Sequence, residues 1–252
     1  MKKELLRSIW KQEEAVAQIH GWDFSHIHGR FKAEEDLPWN YENIVRQNLK
    51  NDSDVMDYDT GGGEFLLSLN HPYNKTSATE GYPPNVELCK EKLLLLGINF
   101  KECSVPSRIP FENDSFDLVI NRHGGFNARE LFRILRKKGL FITEQVGEDN
   151  DRDLVEMVLP ETTKPFPHMN LTEQRKHFEE SGFKILRAEE VFRPIEFYDI
   201  GAFVWFARII KWEFPEFSVD KCFEQLLKMQ EIINTNGKIV GTIHRYLIVA
   251  EK

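Results

Sequence analysis

The sequence predicts an α/β fold in which a mostly parallel sheet is covered by helices on both faces. Short apolar runs alternate with helical patterns between residues 54 and 146, and this alternation is typical of βαβ units. A glycine-rich turn follows the first predicted strand, and an acidic residue ends the second. The chain of 252 residues is long enough for one such domain with a small addition.

Residues 1–50 are predicted to form an N-terminal helical cap. Apolar residues recur at helical spacing along one side of residues 2–20, and Gly21 ends the pattern. Residues 21–38 are polar and aromatic, which indicates an ordered loop, and residues 41–50 favour a short helix. The cap therefore precedes the main domain.

Residues 51–193 are predicted to form the main domain. Its strands are short and mostly apolar, and they are expected at 55–58, 76–80, 98–103, 116–123, 139–146 and 184–192. Its helices are expected at 64–69, 85–96, 128–135, 148–156 and 171–183. Thr172 and Glu173 are placed to cap the start of the last helix, and Gly182 is placed to cap its end.

Residues 194–238 are predicted to form an insertion before the final strand of the main domain, which lies within 239–252. The insertion begins with an aromatic segment that is too apolar for a surface loop, and a helix is expected at 219–234. Three explanations are open for its aromatic side chains: they line a pocket for a small molecule, they pack in a core, or they contact a second copy of the chain. They are Phe197, Tyr198, Phe203, Trp205, Phe206 and Trp212.

A strand runs directly into a glycine-rich turn and then a helix at residues 55–65. Asp57 ends the strand, and the turn contains Thr60, Gly61 and Gly63. Such a turn lets the backbone approach a ligand closely, and the following helix offers free N–H groups and a positive dipole. The turn alone fits several nucleotide cofactors, and it also fits a turn that only packs tightly.

The second predicted strand ends in Thr79, Glu80 and Gly81, and Glu80 lies 17 residues after Gly63. A doubly wound fold places an acidic residue at this point, where its carboxylate accepts hydrogen bonds from both hydroxyls of a ribose. This spacing supports a nucleotide site but does not distinguish NAD from S-adenosylmethionine (SAM).

Three later segments resemble the class I SAM-dependent methyltransferases when they are taken as an ordered set. They are Ile109-Pro110-Phe111, Ser115-Phe116-Asp117-Leu118-Val119 and Leu135-Arg136-Lys137-Lys138-Gly139. The resemblance spans residues 52–148. The C-terminal segments 198–219 and 244–252 resemble a bacterial branch of that family, which implies no particular substrate.

The resemblance implies a Rossmann-like sheet of seven strands, with the last strand antiparallel and SAM lying across the carboxyl ends of the strands. By position in the motifs, Asp57, Gly61 and Gly63 would line the methionine moiety of SAM, and Glu80 with Gly81 would hold the ribose. The turn that contains Ser104 and Val105 would lie at the adenine, and Asn121 would form the floor of the site.

The sequence departs from the family pattern at two places. Asp59 replaces the first glycine of the motif, and Ser104 and Val105 stand where the family often has an acid near the adenine amino group. Asp can adopt the left-handed conformation that glycine provides, but its carboxylate would repel the carboxylate of SAM. Asp59 is therefore expected to weaken cofactor binding, and Asp59→Gly is expected to strengthen it.

Histidines suggest two further roles. His123 follows the fourth predicted strand, beside the expected methyl group, where it could remove a proton from the acceptor. A histidine at a loop entry also commonly hydrogen-bonds the backbone and has no catalytic role. His26 and His28 could hold a metal, but no cysteine or cluster of acids accompanies them, so a cap loop without metal is the preferred interpretation.

Composition limits the partners. The formal net charge of -8 argues against a nucleic-acid substrate, and Arg122, Arg129, Arg133 and Arg136 are interpreted as a solvated face. Three widely spaced cysteines suggest neither a disulfide framework nor a zinc site. The N-terminus lacks a signal-peptide pattern, and no apolar run approaches a membrane span. We therefore expect a soluble cytoplasmic protein.

The preferred functional hypothesis is SAM-dependent methyl transfer to a small-molecule acceptor. One alternative is a module that binds SAM or its demethylated product, S-adenosylhomocysteine (SAH), with little or no turnover. Others are a protein or RNA methyltransferase, of which RNA is disfavoured by the charge, and an NAD-dependent oxidoreductase, which no later motif supports. A homodimer remains open, and fold alone does not choose the acceptor.

Overall fold

The structure, a computed structural model, describes residues 2–18, 23–33, 36–104 and 108–252. The predictions for Gly21 and Val105 lie outside the described residues. The chain divides into two compact units. The small unit comprises Met1–Leu37, Glu148–Pro167 and Val191–His244, and the large unit comprises Pro38–Gly147, His168–Glu190 and Arg245–Lys252. The predicted segments 1–50, 51–193, 194–238 and 239–252 divide the chain differently, because residues 38–50 belong to the large unit.

The helices and strands alternate through most of the chain. The helices are α1 (Lys2–Val16), α2 (Tyr41–Asn48), α3 (Glu64–Ser68), α4 (Pro83–Lys92), α5 (Ala128–Ile134), α6 (Arg152–Val158), α7 (Leu171–Glu180), α8 (Ile200–Ile209) and α9 (Phe223–Asn236). The strands are β1 (Phe31–Ala33), β2 (Val55–Asp57), β3 (Thr76–Glu80), β4 (Asn99–Glu102), β5 (Phe116–Arg122), β6 (Leu135–Val146), β7 (Lys184–Phe197) and β8 (Ile239–Glu251). None of the helices in the described residues is long and apolar enough to span a membrane.

The sheet has eight strands in the order β1-β7-β8-β6-β5-β2-β3-β4, so the predicted number of seven is wrong. The additional strand is β1, which lies in the segment predicted as a loop. It pairs antiparallel with the end of β7, with Phe31 opposite Phe197. Three residues are too few to show an alternating pattern, and the strand exists because β7 extends five residues beyond the predicted end at 192.

In the large unit, the strands β2 to β6 are parallel and the end of β8 runs antiparallel to β6. The predicted antiparallel last strand is therefore confirmed. The chain builds outward from β2 through β3 to β4, and then returns to the other side of β2 to form β5 and β6. This reversal between β2 and β5 leaves a crevice at their carboxyl ends, where open α/β sheets bind ligands.

Helix α7 packs on the core of the large unit through Phe178, which is fully buried and stacks on Phe141 of β6 with ring centroids 5.6 Å apart. The helix begins with Asn170, whose side chain accepts a hydrogen bond from the Glu173 N–H at 2.9 Å. The N-cap is thus Asn170 rather than the predicted Thr172. Asn170 competes well for this position because its amide oxygen reaches the third helical N–H.

The predicted C-terminal role of Gly182 in α7 is confirmed. Its φ is +99°, its N–H donates to the Glu179 carbonyl, and the Phe183 N–H donates to the Phe178 carbonyl at 3.0 Å. The rings of Phe183 and Phe178 are in contact, with centroids 5.3 Å apart. These bonds and this contact form a Schellman motif, which satisfies the last carbonyls of the helix.

The small unit has an aromatic core, and most of the aromatic side chains of the predicted insertion lie in this core. Phe197, Phe203, Trp205 and Phe206 are buried, whereas Tyr198 and Trp212 remain 38% and 44% exposed. Helix α8 supplies three of the buried rings because it is apolar on nearly every side. The aromatic segment therefore packs inside its own unit, which agrees with the core-packing alternative for these four side chains.

Gly182→Ala is expected to destabilise the protein by about 1–2 kcal/mol. Alanine at position 182 would have to adopt a left-handed backbone conformation, and its Cβ would lie 3.0 Å from the Phe132 ring. Urea unfolding measures the loss. Gly125→Ala is the matched control, because no atom lies within 4 Å of its added Cβ and its φ is ordinary. Equal stability of the two variants would contradict the assignment of the cap.

Candidate cofactor site

The residues predicted to bind the cofactor lie at the carboxyl ends of β2, β3 and β5 in the large unit. Asp57 ends β2 and is only 5% exposed. Its carboxyl group accepts a hydrogen bond from the Thr60 hydroxyl at 2.6 Å. The Thr60 N–H in turn donates to the Thr79 carbonyl of β3 at 2.9 Å. These two hydrogen bonds hold the turn after β2 against the ends of β2 and β3.

The glycine-rich turn continues into α3 and is also held by α4. Gly61 and Gly63 have φ values of +64° and +77°, which glycine adopts without cost. The Cys89 thiol donates to the Gly61 carbonyl at 3.1 Å, and the Lys92 ammonium donates to the Gly62 carbonyl at 3.3 Å. The turn is therefore ordered by its neighbours before any ligand binds.

Glu80 connects the turn with the end of β3. One carboxylate oxygen accepts the Gly61 N–H at 2.7 Å, and the other accepts the N–H groups of Gly81 and Tyr82, each at 2.8 Å. The side-chain amide of Asn85 lies 3.4 Å from the first oxygen. The residue is only 3% exposed. Glu80 thus stands where the sequence predicts it, and it also organises the backbone around it.

Asp59 follows β2 in a left-handed conformation with φ of +62°, as its place in a glycine position requires. Its carboxyl group points at Gly124, which follows β5: a Cβ built on Gly124 would lie 2.4 Å from Asp59 Oδ2 and 2.8 Å from Asn121 Nδ2. Only glycine fits at position 124 while Asp59 keeps this orientation. The sequence shows a glycine pair there but gives no sign of its partner.

Burial changes the ionisation of two of these acids. Desolvation raises the pKa of Asp57 to about 7, and the negative charges of Asp59 and Glu80 add to the increase. Desolvation, followed by the charge and the hydrogen bond of Glu80, raises the pKa of Asp59 to about 7 as well. Among the described residues, no cationic side chain contributes to either shift. Both pKa values are therefore raised by burial and neighbouring acids, with no counterion among the described residues.

Asn121 is fully buried at the end of β5. Its amide donates to the Tyr58 carbonyl at 2.7 Å, and its oxygen accepts from Gln145 Nε2 at 2.6 Å and from Thr143 Oγ1 at 3.2 Å. Gln145 also donates to the Gly124 carbonyl at 3.2 Å. Asn121 thus lies in a closed hydrogen-bond network at the end of β5, with its side chain already satisfied.

The predicted adenine side lies after β4. The Cys103 N–H donates to the Glu80 carbonyl at 2.8 Å, and the backbone of Gly81 packs against Cys103 and Ser104. Ser104 is exposed. Tyr82, at 63% exposed, stands beside this turn and was not predicted from the sequence. Its position two residues after Glu80 is the signal that could have identified it.

His123 lies beyond β5 with φ of +60°, and its Nε2 is 3.7 Å from Glu144 Oε1. Desolvation and the positive charges of Arg245 and Arg122 lower its pKa to about 3. The side chain of His123 is 38% exposed, so the neutral ring is in contact with water. The titration near 6.5 that an ordinary histidine would show is therefore not expected here.

Glu144 is buried at the end of β6 and was also missed by the sequence analysis. It accepts hydrogen bonds from Trp39 Nε1 at 2.7 Å and from Arg122 Nε at 2.9 Å. Beside it, the Tyr41 hydroxyl donates to the Asn121 carbonyl at 3.0 Å. These contacts join the segment before α2 to the strand ends, over a sequence separation too long for any local pattern to reveal.

The remaining predicted features are the cap histidines and the arginine face. His26 Nε2 lies 2.8 Å from Glu13 Oε2, and its ring stacks on Trp205. In the part of the chain that the structure describes, no group of three His, Cys, Asp or Glu side chains is arranged to hold a metal. Arg133 and Arg136 pair with Glu130 and Asp117, as a solvated ion-paired face would.

Comparison with solved structures identifies the fold. A Bacillus halodurans protein provisionally named a methyltransferase matches with a TM-score of 0.56 at 16% identity, covering 84% of this chain and 98% of its own. A SAM-dependent methyltransferase from Methanosarcina mazei matches with a TM-score of 0.51 at 16% identity, over 83% and 96%. The 4+2 cyclase SpnF matches with a TM-score of 0.51 at 13% identity, over 84% and 80%.

No protein-family model matches this chain, and no curated protein matches its sequence. The structural matches nonetheless define the class of fold: this chain has the class I SAM-dependent methyltransferase fold. Their identities, all below 20%, extend the likeness to the fold and no further. The cyclase among them shows that this fold also serves a different reaction.

Asp57→Asn is expected to stabilise the protein at pH 8. An acid whose pKa is raised on folding loses stability as the pH rises from about 4 towards about 7, because ionisation is then unfavourable in the folded state. The neutral amide avoids this cost, which is on the order of 4 kcal/mol for a shift of about three pKa units. Thermal or urea unfolding at pH 4.5 and pH 8 measures it.

The matched control for this experiment is Asp52→Asn, since Asp52 is exposed. The advantage of Asp57→Asn over the parent should be clear at pH 8 and small at pH 4.5, and the control should show neither. An advantage that does not change with pH would contradict a raised pKa at Asp57.

Proposed function

We propose that this protein binds SAM at the carboxyl ends of β2, β3 and β5 and transfers its methyl group to a small-molecule acceptor in the cytoplasm. The observation that supports this most strongly is the junction formed by Glu80. Its carboxylate joins the glycine-rich turn to the end of β3, beside the point where the order of strands in the sheet reverses. That is the place where this class of sheet binds a nucleotide.

The residues present fit the cofactor. In the proposed complex the ribose hydroxyls bind at the Glu80 carboxylate, and the turn from Asp57 to Gly63 lies along the methionine moiety. Gly81, Tyr82 and Ser104 flank the adenine side. The buried acids Asp57 and Asp59 complement a ligand that carries positive charge, since no cation of the described residues offsets them. When bound, SAM supplies an activated methyl group on a positively charged sulfur.

The chain's own contribution to the reaction is alignment and exclusion of water, which suit an in-line transfer. Asn121 and its network fix the end of β5, and Trp39, Tyr41 and Glu144 order the neighbouring surface. His123 stays neutral because its pKa is lowered, so its ring can accept a hydrogen bond from an acceptor atom, although the same lowering makes it a weak general base.

Two alternatives follow from specific features. A module that binds SAM or SAH without turnover is suggested by Asp59, whose carboxyl group fills space beside Gly124 that the family pattern leaves to glycine. A protein acceptor is compatible with the same cofactor site. The acidic net charge of -8 favours either over an RNA substrate. A screen of acceptors with detection of SAH distinguishes an enzyme from a binding module.

Saturable binding of SAM and SAH is expected, and Glu80→Ala should weaken it by about 1.5–3 kcal/mol. The loss has two causes: a charge-assisted hydrogen bond to the ribose disappears, and the N–H groups of Gly61, Gly81 and Tyr82 lose their common acceptor. Isothermal titration calorimetry measures it. Glu80→Gln keeps the shape and should fall between the parent and Glu80→Ala.

The matched control for Glu80 is Glu87→Gln on the exposed face of α4, where Glu87 pairs with Lys90 at 2.8 Å. It should bind as the parent does. A folded Glu80→Ala variant with the parent's dissociation constant would remove Glu80 from the cofactor site.

His123→Gln is expected to lower turnover by about 100-fold or more if His123 is a general base, with little change in SAM affinity. Because the pKa of His123 is lowered to about 3, its contribution should not titrate between pH 6 and pH 8. Once an acceptor is known, turnover at saturating SAM is measured against pH for both proteins. Parent-like turnover in the variant would leave His123 with a structural role.

A further inference from the structure

The carboxyl group of Asp59 lies in the crevice between the strand ends of β2 and β5. Asp59 follows β2, and its Oδ2 atom faces Gly124 after β5 so closely that a Cβ there would be 2.4 Å away. The Asp59 N–H is anchored on Thr79 Oγ1 of β3 at 3.3 Å. Three strand ends therefore fix the position of one carboxyl group, at the centre of the proposed cofactor site.

The groups that face Asp59 are acidic or neutral. Glu80, from the end of β3, interacts with Asp59 both through its charge and through a side-chain hydrogen bond. Asp57, from the end of β2, feels the charge of Asp59. Gly124 and Asn121, after and within β5, contribute a backbone and an amide. No cationic side chain of the described residues is among them, so a positively charged ligand would find an unneutralised carboxyl pair.

We infer that Asp59 is a specificity-determining residue, which makes the site prefer the positively charged sulfonium of SAM to the neutral thioether of SAH. This rests on the proposed function, which places the methionine moiety along the turn that contains Asp59. SAM and SAH share the ribose, the adenine and the amino-acid group and differ at the sulfur. A carboxylate near that sulfur therefore separates them by charge alone. The same charge favours release of the product.

This inference reverses the sign expected from the sequence. The expectation from the sequence rested only on repulsion between Asp59 and the carboxylate of the cofactor. The structure places a second acid, Glu80, beside Asp59, and no cationic side chain of the described residues offsets the pair. Desolvation, followed by the charge and the hydrogen bond of Glu80, raises the pKa of Asp59 to about 7, so Asp59 ionises between pH 6.0 and pH 7.5. Since the ionised form binds the sulfonium better, the preference for SAM should grow as the pH rises from 6.0 to 7.5.

The test is calorimetric titration of SAM and SAH into the parent, Asp59→Asn and Glu87→Gln, at pH 6.0 and 7.5 and low salt, where screening is least. Asp59→Asn removes the charge and keeps the shape. The parent should bind SAM at least about tenfold tighter than SAH at pH 7.5, and less selectively at pH 6.0. Asp59→Asn should reduce this ratio by about fivefold or more and make it independent of pH, while the control keeps it.

An unchanged ratio of SAM to SAH affinity in Asp59→Asn, with both ligands still binding, would overturn the role of Asp59 and leave the cofactor site intact. Failure of both ligands to bind the parent would instead overturn the proposed function, and the inference with it. Thermal unfolding of each variant shows whether it is folded, and Asp59→Glu offers a second folded variant that retains the charge. Its ratio should stay closer to the parent's than that of Asp59→Asn.

Discussion

The carboxylate of Glu80 is the interaction on which the cofactor site depends. A single buried side chain accepts the N–H groups of Gly61, Gly81 and Tyr82, and so fixes the glycine-rich turn, the end of β3 and the start of α4 relative to one another. Hydrogen bonds to a charged acceptor are among the stronger ones in proteins, at about 1.5–3 kcal/mol each. The turn and strand end of the candidate cofactor site are therefore held in place by the chain itself.

The charge distribution around this junction follows from burial. Asp57 and Asp59 retain their protons to near neutral pH because desolvation opposes ionisation of both, Asp59 and Glu80 add to it for Asp57, and Glu80 adds to it for Asp59. Beyond β5, the positive charges of Arg122 and Arg245 act on His123 and keep it neutral. The crevice thus has an acidic side at the turn after β2 and a neutral base at the end of β5. A cationic methyl donor and a proton-bearing acceptor would suit these two sides.

The sequence predicted most of the large unit because its information is local there. The strands around Asp57, Glu80 and Asn121 are short apolar runs bounded by turn residues, and they lie where they were expected. Strand β1 was missed because three residues carry no period of their own. Its pairing with the long β7 is what makes it a strand.

In the candidate site, too, local patterns were predictable from the sequence and contacts between distant residues were not. Asp57, Glu80 and the glycines were recognisable from spacing, since their roles depend on neighbours close in the chain or on one strand-to-strand step. The facing of Asp59 on Gly124 and the bond from Trp39 to Glu144 join residues 65 and 105 positions apart. No local pattern predicts such contacts, because they exist only once the sheet is assembled. The lowered pKa of His123 was likewise invisible, because it reflects desolvation and the charge of Arg245, 122 residues away, in addition to that of its neighbour Arg122.

The measurement that tests this account most directly is a crystal structure of the protein grown with SAH at saturating concentration. The account predicts density for the nucleoside at the carboxyl ends of β2 and β3, with the ribose hydroxyls within hydrogen-bond distance of the Glu80 carboxylate and the sulfur on the Asp59 side of the crevice. Density for the ligand at any other place, or its absence from this crevice at saturation, would contradict it.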